Sequence, residues 1–189
     1  MKGFTTVELI AVVVILAVIS LIAVPTIINL NSDTQEKQIK RDIETIYTAS
    51  EHYVLAHNID DSTILVIDLI NEGYLDSDFL DPFSQEKFTA SDTVTVSKDE
   101  NKEFKFSLNS NNQYNAIISA LESYISAHSL DSSITTTLFQ QIYISNLVNE
   151  GYLDSKYGII PSTIERYNSQ STLIVGRNED DTLTFSFVQ

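Results

Sequence analysis

Residues 4–24 read FTTVELIAVVVILAVISLIAV. From Leu9 to Val24 every position except Ser20 is apolar. At about 1.5 Å per residue, a helix of ~20 residues spans the ~30 Å of hydrocarbon in a bilayer. The β-branched run Val12–Val13–Val14–Ile15 is a mediocre helix former in water. In lipid, every backbone N–H and C=O must bond within the segment, and that dictates helix. The stretch therefore predicts a transmembrane or filament-core helix over residues 4–25. One residue does not suit a plain anchor: Glu8, a carboxylate one turn into the apolar run, where an unpaired charge is costly and marks a function and a partner.

Three residues precede this stretch, Met1–Lys2–Gly3, and Lys2 is their only basic side chain. With a large acidic remainder on the other side, that places the N-terminus in the cytoplasm and the rest outside. Gly3 followed by Phe4 and Thr5, with Glu8 close behind and Pro25 at the far end of the span, resembles the N-terminal signature of the type IV pilins. The resemblance covers residues 3–28 most strongly and implies a precise chemistry. A prepilin peptidase cuts between Gly3 and Phe4, and Phe4 becomes the N-methylated first residue. Glu8 becomes the fifth residue of the mature chain. Inside an apolar bundle it neutralises the α-ammonium that the cut creates on a neighbouring subunit's Phe4; paired, the two charges fix axial register. Pro25, which removes one helical hydrogen bond and clashes with a preceding carbonyl, is expected to kink the helix. A secretory signal peptide accounts for less of this. It needs a basic leader, a shorter apolar core and an Ala-x-Ala-like site, whereas Leu21–Ile22–Ala23 here runs directly into Val24–Pro25. A simple membrane anchor leaves Glu8 unexplained.

The chain has 189 residues, 43% of them hydrophobic, enough for one or two small globular units beside the apolar stretch. Its 26 acidic and 11 basic side chains give a formal net charge of −15, which repels phosphate backbones and argues against general nucleic-acid binding. The nearest basic group, Lys37, Lys40 and Arg41, interleaves with Glu36, Asp42 and Glu44, the pattern of a solvated helix face. There is no cysteine, so disulfides, thiolate metal sites and cysteine nucleophiles are excluded. Pilins of Gram-negative bacteria often close a loop with a disulfide; the departure points to a Gram-positive source.

Beyond Pro25, Ile39, Ile43, Ile46, Tyr47, Tyr53 and Val54 form one apolar stripe at helical spacing. Asn58–Ser62 breaks the helix, with Asp61 or Ser62 as N-cap of a short helix over Thr63–Glu72. Gly73 suits the left-handed position after that helix, with Tyr74 folding back onto it in a Schellman close. Asp81–Pro82–Phe83 is a turn. Strand-like alternation follows in Asp92–Val96 and Glu103–Leu108, with Ser97–Lys102 as the hairpin loop. Ser110–Gln113 reads as a polar linker, and Tyr114–His128 is amphipathic.

The pattern then recurs. Glu51, Tyr53, Ala56 and His57 reappear as Glu122, Tyr124, Ala127 and His128 at an offset of 71. Asn71–Ser77 (NEGYLDS) recurs identically as Asn149–Ser155 at an offset of 78. Asp92–Val96 corresponds to Ser171–Val175 and Phe104–Ser107 to Leu183–Ser186, both at 79. Seven residues are therefore inserted in the second copy, expected around Ile134–Gln141. An identical heptapeptide inside a longer aligned pattern is the mark of an internal duplication.

Catalytic patterns are missing. His57, Asp60 and Ser62 lie within one turn-forming segment, too close in the chain to set up nucleophile, base and orienter. No Walker loop, dinucleotide-binding turn or His-Glu-x-x-His occurs. His57 and His128 hold equivalent repeat positions, which favours packing, and the tyrosines sit on helix stripes or after Gly73 and Gly151. Asp76, Asp78 and Asp81 are weak candidates for a cation such as calcium, as some pseudopilins carry, and Glu179–Asp180–Asp181 forms a second acidic loop. Their spacing matches no coordination pattern, and solvated turns are the better reading.

The sequence thus predicts an α+β protein: a leader at residues 1–3, a membrane or filament-core helix at 4–25, a first pilin-like head at 26–109 and a second at 110–189. Its long N-terminal helix, half in the membrane or filament and half amphipathic, packs on a small antiparallel sheet. The implied role is a non-enzymatic type IV pilus subunit without cofactor or metal. It starts in the cytoplasmic membrane and ends in an extracellular pilus, and its second head marks a minor or adhesive pilin. Its partners are other pilins, the prepilin peptidase, the assembly machinery and a surface or host ligand. The alternatives are a pseudopilin of a secretion or competence machine and a monomeric anchored surface domain.

Overall fold

The computed structural model describes residues 6–188, with side chains described at 6–18 and 34–188. Two compact units divide the chain, Met1–Lys37 and Gln38–Gln189. Helix α1 has the bounds Thr6–His57.

The membrane expectation is corrected. Among the described residues, no helix is long and apolar enough to cross a membrane. The side chains described at this end, residues 6–18, are apolar apart from Thr6 and Glu8. The fold class built on a helix with a membrane half is replaced by a small α+β protein, and the single-pass placement in the cytoplasmic membrane, with an extracellular pilus to follow, is not supported. Gly3 and Phe4 lie outside the described residues, as do the side chain of Pro25 and its expected kink.

Within Gln38–Gln189 the elements follow the duplication. After α1 come β1 (Ser62–Leu65), α2 (Val66–Asn71), β2 (Thr93–Lys98) and β3 (Phe104–Asn109), then α3 (Asn111–Ala127). The second copy supplies β4 (Gln140–Tyr143), α4 (Ile144–Asn149), a short β5–β6 pair (Ile159–Ile160 and Glu165–Arg166), β7 (Thr172–Arg177) and β8 (Leu183–Val188). The first sheet has the order β1-β2-β3 and the second β4-β7-β8, antiparallel throughout. Equivalent strands are in equivalent register: Ile64, Val94 and Leu108 form one cross-strand row, and Ile142, Leu173 and Phe187 its counterpart.

Each sheet buries one face under a helix. Ile39, Ile43, Ile46 and Val54 of α1 are buried with Ile64, Val94, Val96 and Leu108. Ile117, Leu121, Tyr124 and Ile125 of α3 are buried with Ile142, Leu173, Val175 and Leu183. Each such aliphatic side chain contributes about 1.5–3 kcal/mol by leaving water.

Three boundaries differ from the sequence reading. Thr63–Leu65 pairs with β2 and is not helix, because Ile64 meets Val94 in the core and β-branched residues favour the pleated surface. The short helix is only Val66–Asn71, with Leu65 at its N-cap and no side-chain cap. Ser110–Gln113 is no linker: Ser110 is the N-cap of α3, and its Oγ accepts the Gln113 N–H at 3.2 Å. The inserted residues lie in 129–139, since four residues (58–61) separate His57 from β1 and eleven separate the equivalent His128 from β4, which begins at Gln140.

The Schellman close is present twice. The Gly73 N–H donates to the Ile70 carbonyl (3.1 Å) and the Tyr74 N–H to that of Leu69 (2.8 Å); Gly151 and Tyr152 repeat the pattern on Val148 and Leu147. Gly73 has φ +80° and Gly151 φ +79°. No atom lies within 4 Å of a Cβ placed on either, so a side chain there meets backbone strain alone. Gly73→Ala is therefore expected to lower stability by about 1 kcal/mol in chemical denaturation of the full chain, and Gly151→Ala by a similar amount. No loss at either position would show that the left-handed close carries no stability.

Candidate functional site

The chemistry of the N-terminal unit is that of an uncovered apolar helix. Val7, Leu9, Ile10, Val12, Val13, Val14, Ile15, Leu16 and Val18 are each at least 50% exposed. Consecutive positions point all round a helix, so no single face accounts for them. Glu8 is exposed among them in the first turn, where a carboxylate suits the positive end of the helix dipole.

The acidic loop does not gather a cation site. Asp76 and Asp78 are exposed, whereas Asp81 is fully buried. Asp81 Oδ1 accepts the N–H groups of Phe83 (2.8 Å) and Ser84 (2.9 Å), and its Oδ2 accepts the Ser110 hydroxyl (2.6 Å). Asp92, also fully buried, accepts from the Thr89 N–H (2.6 Å) and hydroxyl (2.8 Å) on Oδ2 and from the Asn111 N–H (2.8 Å) on Oδ1. Both carboxylates thus terminate on the start of α3. Among the described residues, no group of three or more His, Cys, Asp or Glu side chains is placed to hold a metal. In the second acidic loop, hydrogen bonds from the Thr182 hydroxyl and N–H hold the Asp180 carboxyl below the usual carboxylate range, and Asp181 pairs with Arg177.

Two of the three histidines form a matched pair. His57 stacks on Tyr53 (ring centroids 4.3 Å apart), meets Tyr74 edge-on (6.5 Å), and sets Nδ1 at 3.0 Å from the Tyr53 carbonyl and Nε2 at 3.3 Å from Glu72. His128 repeats this with Tyr124 (4.1 Å), Tyr152 (6.3 Å) and Glu150 (3.2 Å). Burial, with Glu72, Asp68 and Tyr74 nearby, pushes the Tyr53 phenol up. The His57–Asp60–Ser62 combination is not assembled: Asp60 pairs with Lys98 at 2.6 Å, and the Ser62 hydroxyl points at the Thr63 carbonyl.

Where the two copies meet, polar groups again carry the contact. The Tyr47 hydroxyl donates to the Pro161 carbonyl (2.7 Å) and accepts the Leu108 N–H (2.9 Å). Gln113 Nε2 donates to the carbonyls of Tyr157 (2.9 Å) and Ile159 (2.7 Å). Phe83 stacks on Tyr157, and Ile159 is buried in the first core. None of this was visible in the sequence, where Tyr47 reads only as part of an apolar stripe.

No family model, curated protein or solved structure matches this chain.

Burial pushes the Tyr47 phenol from 10.0 up to about 12, against the lowering effect of the Leu108 hydrogen bond. A folded-state pKa above the unfolded one contributes stability that is complete below about pH 10 and lost as the pH rises through about 12. Tyr47→Phe leaves the Leu108 N–H and Pro161 carbonyl unsatisfied, at an expected cost of about 1–3 kcal/mol near neutral pH. The variant is also expected to lose less stability than wild type between about pH 10 and 12. Denaturation midpoints across that range check both; parallel pH profiles would contradict the role given to the phenol.

Proposed function

We propose that this chain is a pilin-like structural subunit that polymerises through its apolar N-terminal stretch after cleavage between Gly3 and Phe4. The single observation that carries the reading is the exposure of Val7–Val18 on every side of the helix with one carboxylate, Glu8, among them. Side chains of this kind lose free energy by packing against copies of themselves, at roughly 25 cal/mol per Å2 removed from water. A carboxylate enclosed in such a bundle favours a cation beside it, and the α-ammonium of a processed Phe4 supplies one.

The partners on this reading are further copies or related pilins, a prepilin peptidase and an assembly machinery; the function is structural and calls for no cofactor. The second module makes the chain a specialised subunit that presents an additional head. The acidic surface, with a formal net charge of −15, keeps heads apart by mutual repulsion and leaves association to the apolar stretch.

Glu8→Ala and Glu8→Gln test the proposal. Each is expected to lower the polymerised fraction by about tenfold or more, the consequence of leaving the neighbouring ammonium unpaired, while the thermal midpoint of the folded unit stays unchanged. The polymer's intact mass should be that of a chain beginning at Phe4, with one added methyl group. Variants that polymerise like wild type, or a polymer built from chains that retain Met1–Gly3, would refute the proposal.

A further inference from the structure

The duplication gives this protein an internal control, because equivalent positions of the two sheets differ only where the copies have diverged. The inward faces are alike. The outward faces are not. In the first sheet the outward row pairs Thr63 with Thr95 and Ser107, preceded by Asp61 and flanked by Ser97 and Lys105. At the equivalent positions the second sheet has Gln141 paired with Ile174 and Ser186, with Phe139 for Asp61, Tyr143 for Leu65, Gly176 for Ser97 and Thr184 for Lys105. The charged, hydroxyl-rich face of the first sheet thus has as its counterpart an aromatic face without charged side chains.

The geometry of that face is specific. A Cβ placed on Gly176 falls 2.5 Å from both Cδ1 and Cε1 of Phe139. The ring therefore lies directly over the backbone of β7, and a serine such as Ser97 in the first copy would push it away. Phe139 remains 59% exposed, Tyr143 43% and Ile174 38%. Between the two rings, Gln141 Nε2 donates to the Thr172 hydroxyl at 3.0 Å, which fixes the amide in place. Phe139 and Tyr143 are four residues apart along an extended chain, about 13 Å, the length of a short oligosaccharide.

We propose that the outward face of the β4-β7-β8 sheet is a binding platform for an uncharged oligosaccharide, with sugar C–H faces resting on Phe139 and Tyr143 and hydroxyls meeting the Gln141 amide. Aromatic rings with an apolar body, set beside a fixed amide and hydroxyls, fit a ligand that alternates apolar ring faces with hydroxyl edges. Charge decides against other ligands. An anionic glycan, nucleic acid or phosphopeptide meets no cation on this face and a strongly acidic chain around it. Charge also decides against a second copy: two chains of formal net charge −15 repel when this face is brought against itself. Binding here is read on the chain whether or not it polymerises, so it does not depend on the filament proposal.

The test presents the full chain to immobilised neutral oligosaccharides of the cello, chito, xylo, manno and galacto series, with sialylated and sulfated glycans alongside. Wild type is expected to retain at least one neutral series. Phe139→Ser with Tyr143→Ser should weaken that binding by about tenfold or more, as loss of a central aromatic anchor does. Gln141→Ala should weaken it too, and Thr63→Ala with Thr95→Ala, on the first sheet, should leave it unchanged. Exposed positions were chosen, and an unchanged denaturation midpoint checks that each variant folds. The proposal is overturned by retention of charged glycans alone, by no retention of any neutral series, or by equal losses in the first-sheet control. It is overturned equally if sedimentation shows a concentration-dependent dimer that the double variant abolishes.

Discussion

Two buried carboxylates, Asp81 and Asp92, fix where the second half of this protein begins. Taking an ionised carboxylate out of water is tolerable only when its oxygens are met by donors, and here both oxygens of each are met. Asp81 receives two backbone N–H groups and the Ser110 hydroxyl; Asp92 receives Thr89 and the Asn111 N–H. Only Ser110 separates β3 from α3. The first residues of α3, whose N–H groups have no partners within the helix, are held by acids belonging to the first copy. The direction in which α3 leaves is then set by hydrogen bonds, which are directional, and the apolar cores on either side need supply only cohesion. Tyr47 and Gln113 extend the same principle, each ending on carbonyls in the Tyr157–Pro161 segment.

The duplication shows which features the fold requires and which were free to change. The left-handed glycine closes and the Tyr–His–Tyr–Glu cluster are reproduced to within a few tenths of an ångström, and the inward rows stay apolar, Ile64–Val94–Leu108 in one sheet and Ile142–Leu173–Phe187 in the other. These close the short helix and tie it to the long one, so both copies keep them. The outward sheet faces carry no such duty, and there the sequences part, from Asp61, Thr95 and Ser97 to Phe139, Ile174 and Gly176. The absence of a side chain at Gly176 leaves room for the Phe139 ring on the strand.

Much of this was legible in the residues. The repeat, its offsets, the glycine closes and the central strands all follow from period and turn chemistry. What was missed has identifiable causes. Ser62–Leu65 is too short for period alone to separate strand from helix, and Asp61 and Ser62 mimic a cap. Ser110–Gln113 has a linker's composition because capping residues and linker residues are the same small polar set. Asp81 reads as a surface ligand until its burial is known, and burial is not written in spacing. At the N-terminus, hydropathy over residues 4–25 predicts a membrane span, whereas among the described residues no helix is long and apolar enough to cross a membrane.

The most direct test of the account is a helical reconstruction by electron cryo-microscopy of the polymer formed by the processed chain. In that polymer, Val7–Val18 of neighbouring subunits are expected to pack against one another, with Glu8 within hydrogen-bonding distance of an adjacent subunit's N-terminal amine. A polymer held together through the folded units alone, with those side chains facing solvent, would contradict it, and so would a processed chain that stays monomeric at every concentration.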